Sequence, residues 1–178
     1  MRFAAILACT ALATNGVVDI AGKPLDPFST QARARVLLFV RTDCPITNRY
    51  APEMQRIADE FTRRGVEFWL VYPDPAETAA AIQTQIAQYR LPGRALRDPA
   101  HFLVRRAEAT IAPQAAVFDS RGQLVYSGRI DDLYVDFGKS RPTARTHDLE
   151  NAITALLAGQ PVAAARTHAV GCYLADVK

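Results

Sequence analysis

An α/β domain with a mixed central sheet is the fold class this chain of 178 residues predicts, on three observations. Val36–Val40 ("VLLFV") and 66–73 ("VEFWLVYP") are apolar runs without polar alternation, as expected of strands covered on both faces. Between them, Tyr50, Met54, Ile57 and Phe61 recur at spacings of four, three and four, one apolar stripe on a helix. Near residue 121 the pattern changes to two strand-like runs around Ser120-Arg121-Gly122, a hairpin signal.

The elements follow in order. After Gly16, "VVDIAGKPLDPF" breaks at Gly22 and Pro24 and reads as a small hairpin or extended lead-in. The helix after the first strand runs from Pro45 to Arg63 and ends at Gly65. A second helix covers 77–90, with Ile82, Ile86 and Tyr89 on one face. Strand, helix, strand, helix implies a parallel pair joined by a right-handed crossover. Asp98 and Pro99 read as cap and first residue of a short helix. Leu149, Ile153, Leu156 and Leu157 mark a last helix that stops at Gly159, with Thr146 as its cap.

Composition narrows the function classes. With 49% hydrophobic and 22% charged residues the chain is long enough to bury a core without metals or disulfides. Its 21 basic and 18 acidic residues form neither a basic run nor a basic helix face, which speaks against nucleic acid as a partner. No apolar stretch reaches the 18 residues of a membrane span. Residues 1–13, with Arg2, an apolar stretch and Ala11-Leu12-Ala13, read as a signal peptide for export, the alternative being an apolar segment packed on the domain. Cleavage would remove Cys9 and leave Cys44 and Cys172, an even count that permits a disulfide in an oxidising compartment.

Cys44 stands four residues after a buried strand and directly before Pro45 at a helix start. A sulfur there meets unpaired backbone N–H groups and the positive end of the helix dipole, which favour the thiolate by about 0.3–1 kcal/mol. The position is also at the carboxyl end of a sheet strand, where open α/β sheets bind ligands.

These residues resemble the thioredoxin-like superfamily. Val36–Phe61 is similar to its active-site strand and first helix, with Cys44 as the nucleophile of Cys-x-x-Cys, Thr47 in place of the second cysteine, and Ala51-Pro52 where that helix bends. The segment "TIAPQAAVFDSRGQLVYSGRID" resembles the cis-proline strand and hairpin, with Pro113 as the cis-proline. The likeness spans roughly 17–159 and is greatest to the redoxin branch, which includes thiol peroxidases. It implies a thioredoxin-like domain over 16–160, with a sheet flanked by helices, and a tail over 161–178 carrying Cys172.

Two departures shape the implied chemistry. Peroxiredoxins carry Pro-x-x-x-Thr-x-x-Cys and a later arginine; here the corresponding positions hold Leu37, Arg41 and Pro113, and Thr42 is one place out of register. Thiol/disulfide exchange is therefore the first expectation. A peroxidase rebuilt on Thr42, Arg41 or Arg129 and a non-catalytic, metal-binding module on Cys44, Cys172 and His168 are the alternatives. Thr47 cannot resolve a mixed disulfide, although its hydroxyl could donate to the thiolate. The second thiol must come from a partner protein, a small-molecule thiol or Cys172, on a tail free to reach back. A Cys44–Cys172 bridge would close a loop worth up to about 5 kcal/mol on the chain-entropy model. No cofactor is implied. His147 reads as a first-turn polar residue, His101 as an exposed helical one, and Asp131-Asp132 as a solvated turn.

Overall fold

A computed structural model describes residues 16–174. The signal peptide expected at 1–13, and Cys9 within it, lie outside the described residues.

The apolar runs form the centre of the sheet. β2 (Ala34–Phe39) and β3 (Val66–Tyr72) pair in parallel from Ala34↔Val66 to Phe39↔Val71. Alternate side chains of β2 enter opposite cores. Val36 and Leu38 pack with α1 (Pro45–Thr62), and Leu37 and Phe39 pack with α3 (Phe102–Ala107). All four are at most 1% exposed, which accounts for the lack of polar alternation in the sequence. The sheet has six strands in the order β1-β4-β3-β2-β6-β7, with β1 at Val18–Asp19, β4 at Arg94–Arg97, β6 at Gln114–Asp119 and β7 at Leu124–Gly128. β4 continues the parallel part, whereas β6, β7 and β1 are antiparallel to their neighbours; β8 (Tyr134–Asp136) and β9 (Lys139–Ser140) form a separate antiparallel pair. The lead-in is a small hairpin, with Asp19 N donating to Lys23 O at 2.8 Å.

The stripe on α1 is fully buried, Tyr50, Met54, Ile57 and Phe61 among it, and α4 (Asp148–Leu157) joins the same core through Leu149, Ala152 and Ile153. Gly65, at φ +84°, makes the left-handed turn into β3 that a side chain would strain. Pro52 lies inside α1 and has no N–H to give the carbonyl of Asn48.

Several boundaries differ from the sequence reading, each for a local reason. The second helix, α2 (Ala79–Tyr89), starts after Thr78, whose hydroxyl accepts from Ala81 N at 3.2 Å, and Glu77 is drawn inward instead. Asp98 does cap α3, but from four to six residues before the N–H groups it receives, those of Phe102, Leu103 and Val104 at 2.8–3.0 Å. Pro99 is therefore in the turn ahead of the helix. His101 is the left-handed residue preceding α3 and is partly buried, with its ring nitrogen 3.2 Å from Pro73 O, so it is not an exposed helical residue. At α4 the cap position belongs to His147, because Thr146 turns away: its N–H goes to Asp132 and its hydroxyl to Asp148. β4 was not expected; its four residues carry an arginine at each end and show no apolar run.

Asp131 and Asp132 are buried, at 4% and 6% exposure, which corrects the expected solvated turn. Asp131 accepts the Tyr50 hydroxyl at 2.5 Å and Leu133 N at 2.8 Å, and Asp132 accepts the N–H groups of Arg145 and Thr146. The pair fastens α1 and the segment before α4 to the end of β7.

Candidate active site

The register of the sheet decides what stands beside Cys44. β2 and β6 are antiparallel and end at the pair Phe39↔Gln114, so the residues that follow Phe39 meet those that precede Gln114. The loop after β2 thereby brings Cys44 to Ala112, whose peptide bond to Pro113 is cis, as the resemblance implied. The Cys44 sulfur donates to Ala112 O at 3.1 Å. Cys44 is the cap residue of α1, in extended conformation (φ −88°, ψ 111°), with Pro45 behind it and no exposed surface.

The tail supplies the second sulfur. β5 (Ile111–Ala112) pairs antiparallel with β10 (Cys172–Tyr173), in the register Cys172↔Ala112, and Leu174 N donates to Thr110 O at 2.9 Å. The pairing brings the Cys172 sulfur to 2.8 Å from that of Cys44, donating toward it. Close approach needs a glycine beforehand, since a Cβ on Gly171 would run into the Ala112 carbonyl. Upstream, the tail runs beside β7: Ser127 N donates to Ala165 O at 3.0 Å, and Thr167 Oγ1 accepts from Arg129 N at 3.1 Å. Far from being free, the described tail is strapped across two strands.

Charge around the pair is uneven. Burial, then the hydrogen bond and charge of Cys44, push the Cys172 thiol up to about 12. Cys172 therefore keeps its proton near neutrality and directs it at the Cys44 sulfur. Arg41 forks onto Asp43 at 2.8–2.9 Å and donates from Nη1 to Tyr173 O at 2.9 Å, so its guanidinium clamps the tail. Through that bond Arg41 holds the Asp43 carboxyl below its usual range. Glu77, missed by the sequence reading, accepts Thr42 N at 2.5 Å through Oε1, while its buried Oε2 has no partner; burial raises its pKa. Gln85 likewise donates to Arg41 O at 2.9 Å and Asn48 Oδ1 at 2.7 Å, fixing the loop before Cys44 from α2. No periodicity marks loop residue Glu77 as buried; Gln85, three residues after Ile82 and four before Tyr89, borders the apolar face of α2, and its polarity kept it out of a search by hydrophobic spacing.

Of the residues expected at the site, Cys44, Pro113 and Cys172 come together. Thr47 lies buried in the first turn of α1, but its hydroxyl has no hydrogen-bond partner, so the donation expected toward Cys44 is not made. Two of the peroxide-activating alternatives are engaged elsewhere, Arg41 as above and Arg129 with Asp148 at 2.8 Å. His168 lines a separate pocket of about 300 Å³ with Glu108, Gln114 and Ser127, and does not join the two sulfurs in a metal-sized cluster. Among the described residues, Glu53, Asp131 and His147 do bring ligand atoms within 4.8 Å of one another, but Glu53 is held by Arg56 and Asp131 by Tyr50.

The sequence model of the AhpC/TSA family matches residues 14–127. Among solved structures, a hypothetical protein from Sinorhizobium meliloti 1021 is similar at 22% identity and a TM-score of 0.74, over 88% of both chains. An uncharacterized conserved protein from Geobacillus kaustophilus gives 22% and 0.73, over 89% of this chain and 86% of that one. A secreted Mycobacterium tuberculosis disulfide oxidoreductase, homologous to E. coli DsbE, gives 20% and 0.54, over 80% of this chain and 94% of that one. No curated protein matches. The fold is thioredoxin-like, as the resemblance implied.

Proposed function

The chain belongs to the AhpC/TSA family, and from that premise we propose that it is a thiol oxidoreductase in which Cys44 exchanges with disulfides and Cys172 resolves the product. The observation that carries this reading is the pair of sulfurs 2.8 Å apart beside the Ala112 carbonyl.

In this reading, the half-cycle that oxidises the chain and reduces the substrate begins with the tail. β10 lifts, because Cys44 has no exposed surface while it is in place. The Cys44 thiolate, at the positive end of α1, attacks one sulfur of a substrate disulfide and expels the other as a thiolate. Cys172 then attacks the Cys44 sulfur and releases the remaining substrate thiol, leaving Cys44 and Cys172 joined. Two electrons pass from the dithiol to the substrate. Part of what raises the Cys172 thiol is the charge on Cys44, and that part disappears once Cys44 is in a mixed disulfide, so the resolving thiol ionises more readily when it is needed. Ala112 and Pro113 position the reacting sulfur, and Thr47, lacking a sulfur, leaves resolution to the tail. The partner in this reading is a thiol or disulfide protein, or a small-molecule thiol.

Exchange is supported over peroxide reduction because Arg41 and Arg129 are both spent on carboxylates and Pro113 stands where the peroxide-binding arginine is expected. An exported site of action belongs to the same proposal, supported by the signal-like residues 1–13 and by the secreted neighbour. Stoichiometric reaction of the reduced chain with a small disulfide tests the chemistry. Wild type is expected to release two equivalents of thiol, Cys172→Ser to stop after one with the adduct retained on Cys44, and Cys44→Ser to react no faster than a free thiol. Release of a single equivalent by wild type would exclude the resolving role. A Cys44-dependent consumption of hydrogen peroxide above the free-thiol rate would favour the peroxidase instead.

A further inference from the structure

We propose that the oxidised form is reduced at Cys172 rather than at Cys44: an incoming thiol attacks the tail sulfur and Cys44 is the leaving group. The inference rests on the reading of Cys44 and Cys172 as a redox pair, and adds which sulfur the reductant meets.

Three observations carry it. Cys44 has no exposed surface, closed in by α1 and by Ala112, whereas Cys172 is partly exposed and is followed by Tyr173 at 79% exposure. The backbone edge beside the cis-proline, at Thr110 to Ala112, is already paired with β10, so an extended external chain cannot lie there to address Cys44 while the tail is docked. The two sulfurs also differ as leaving groups. A thiolate departing as Cys44 forms at the positive end of a helix of 18 residues, while one departing as Cys172 forms on a two-residue strand with no helix end behind it.

The step balances as follows. A thiolate RS⁻ attacks the Cys172 sulfur of the Cys44–Cys172 disulfide. The S–S bond breaks, its electron pair leaves on Cys44, and the tail carries the mixed disulfide Cys172–SR. A second thiolate of the reductant attacks the R sulfur, forming RSSR and releasing the Cys172 thiolate, which takes a proton. The chain gains two electrons and two protons, and two thiols become one disulfide. The half-cycles thus use different doors: substrate disulfide reaches Cys44 with the tail lifted, and reductant reaches Cys172 with the tail down.

The test uses the full chain, oxidised until Cys44 and Cys172 are joined, then exposed to glutathione for short intervals, quenched in acid, alkylated and mapped by mass spectrometry. Extrapolated to zero time, the glutathione adduct is expected on the Cys172 peptide, with Cys44 alkylated, in at least tenfold excess over the reverse. An equal or greater adduct on Cys44 overturns the proposal. So does the absence of any adduct under conditions that open the bond in the unfolded chain. Failure of the underlying reading is distinct and comes first: no Cys44–Cys172 bond forms on oxidation, and both fall together.

Discussion

The two cysteines sit in regions built on opposite principles. Cys44 is carried by β2 and α1, where strands are apolar on both faces and a helix stripe is buried without exception along its length. Cys172 is carried by residues 165–174, which join the domain through backbone bonds, the Arg41 clamp, the Arg166–Glu108 ion pair, the Thr167 hydroxyl and only two buried side chains, Ala169 and Leu174. A sulfur in the first region cannot move without disturbing the core. One in the second can leave by breaking hydrogen bonds of about 0.5–1.5 kcal/mol each and uncovering the Leu174 side chain, about 1.5–3 kcal/mol. The difference teaches that a chain without an internal Cys-x-x-Cys can still hold a dithiol, with one partner fixed and the other detachable.

Removing either sulfur tests the comparison most severely. Turnover with a disulfide substrate is expected to fall by at least about a thousandfold in Cys44→Ser, as for loss of a covalent nucleophile. Cys172→Ser should trap the adduct with little change in the first exchange, measured by stopped-flow release of the leaving thiol. Next in size is stability. Leu38→Ala, in the core against α1, is expected to cost about 2–5 kcal/mol in urea unfolding. Arg41→Gln should cost less than about 1 kcal/mol while loosening the tail, seen as faster backbone hydrogen exchange at Leu174. Equal effects of the two would erase the distinction between core and strap.

Gly171→Ala acts on the junction between the regions. Its Cβ meets the Ala112 carbonyl, and overpacking of this kind costs about 1–3 kcal/mol. The tail is expected to dock less well, so the glutathione equilibrium for the Cys44–Cys172 bond should shift toward the dithiol by roughly tenfold, while urea stability of the reduced form falls by less than the clash would cost, because an unlinked tail can undock.

The smallest expected effect is the pH dependence from Glu77. Burial raises its folded pKa above the unfolded value, so the folded chain binds this proton more tightly. Its contribution to stability is fully present below the ordinary glutamate range and is lost as pH rises through the folded value. Glu77→Gln should therefore flatten the decline in melting temperature with rising pH across that window, by thermal unfolding followed from pH 4 to 7. A steeper decline in the variant would reverse the sign and the account of Glu77 with it.

The fixed region was largely legible in the sequence, and the detachable one was not. "VLLFV" and the four-three-four stripe are local patterns whose period states how they are buried, and Cys44-Pro45 is a helix-start signal read from adjacent residues. Pro113 came from resemblance, and the antiparallel register of β2 and β6 then explains why it lies beside Cys44. The path of "RTHAVGCY" has no period, because two backbone pairings to distant strands fix it. Asp131 and Asp132 read as solvated for a related reason: the hydroxyl of Tyr50 and the N–H groups of Arg145 and Thr146 arrive from elements remote in sequence. Thr47 was misread in the other direction, since spacing puts it one helical turn from Cys44 but does not orient its hydroxyl.

The central claim, that Cys172 completes the chemistry of Cys44, is tested most directly by oxidising the full chain with one equivalent of a small disulfide and mapping its disulfides. The account predicts one intramolecular bond joining Cys44 and Cys172, with no adduct retained. A stable adduct on Cys44 beside a free Cys172 would contradict it.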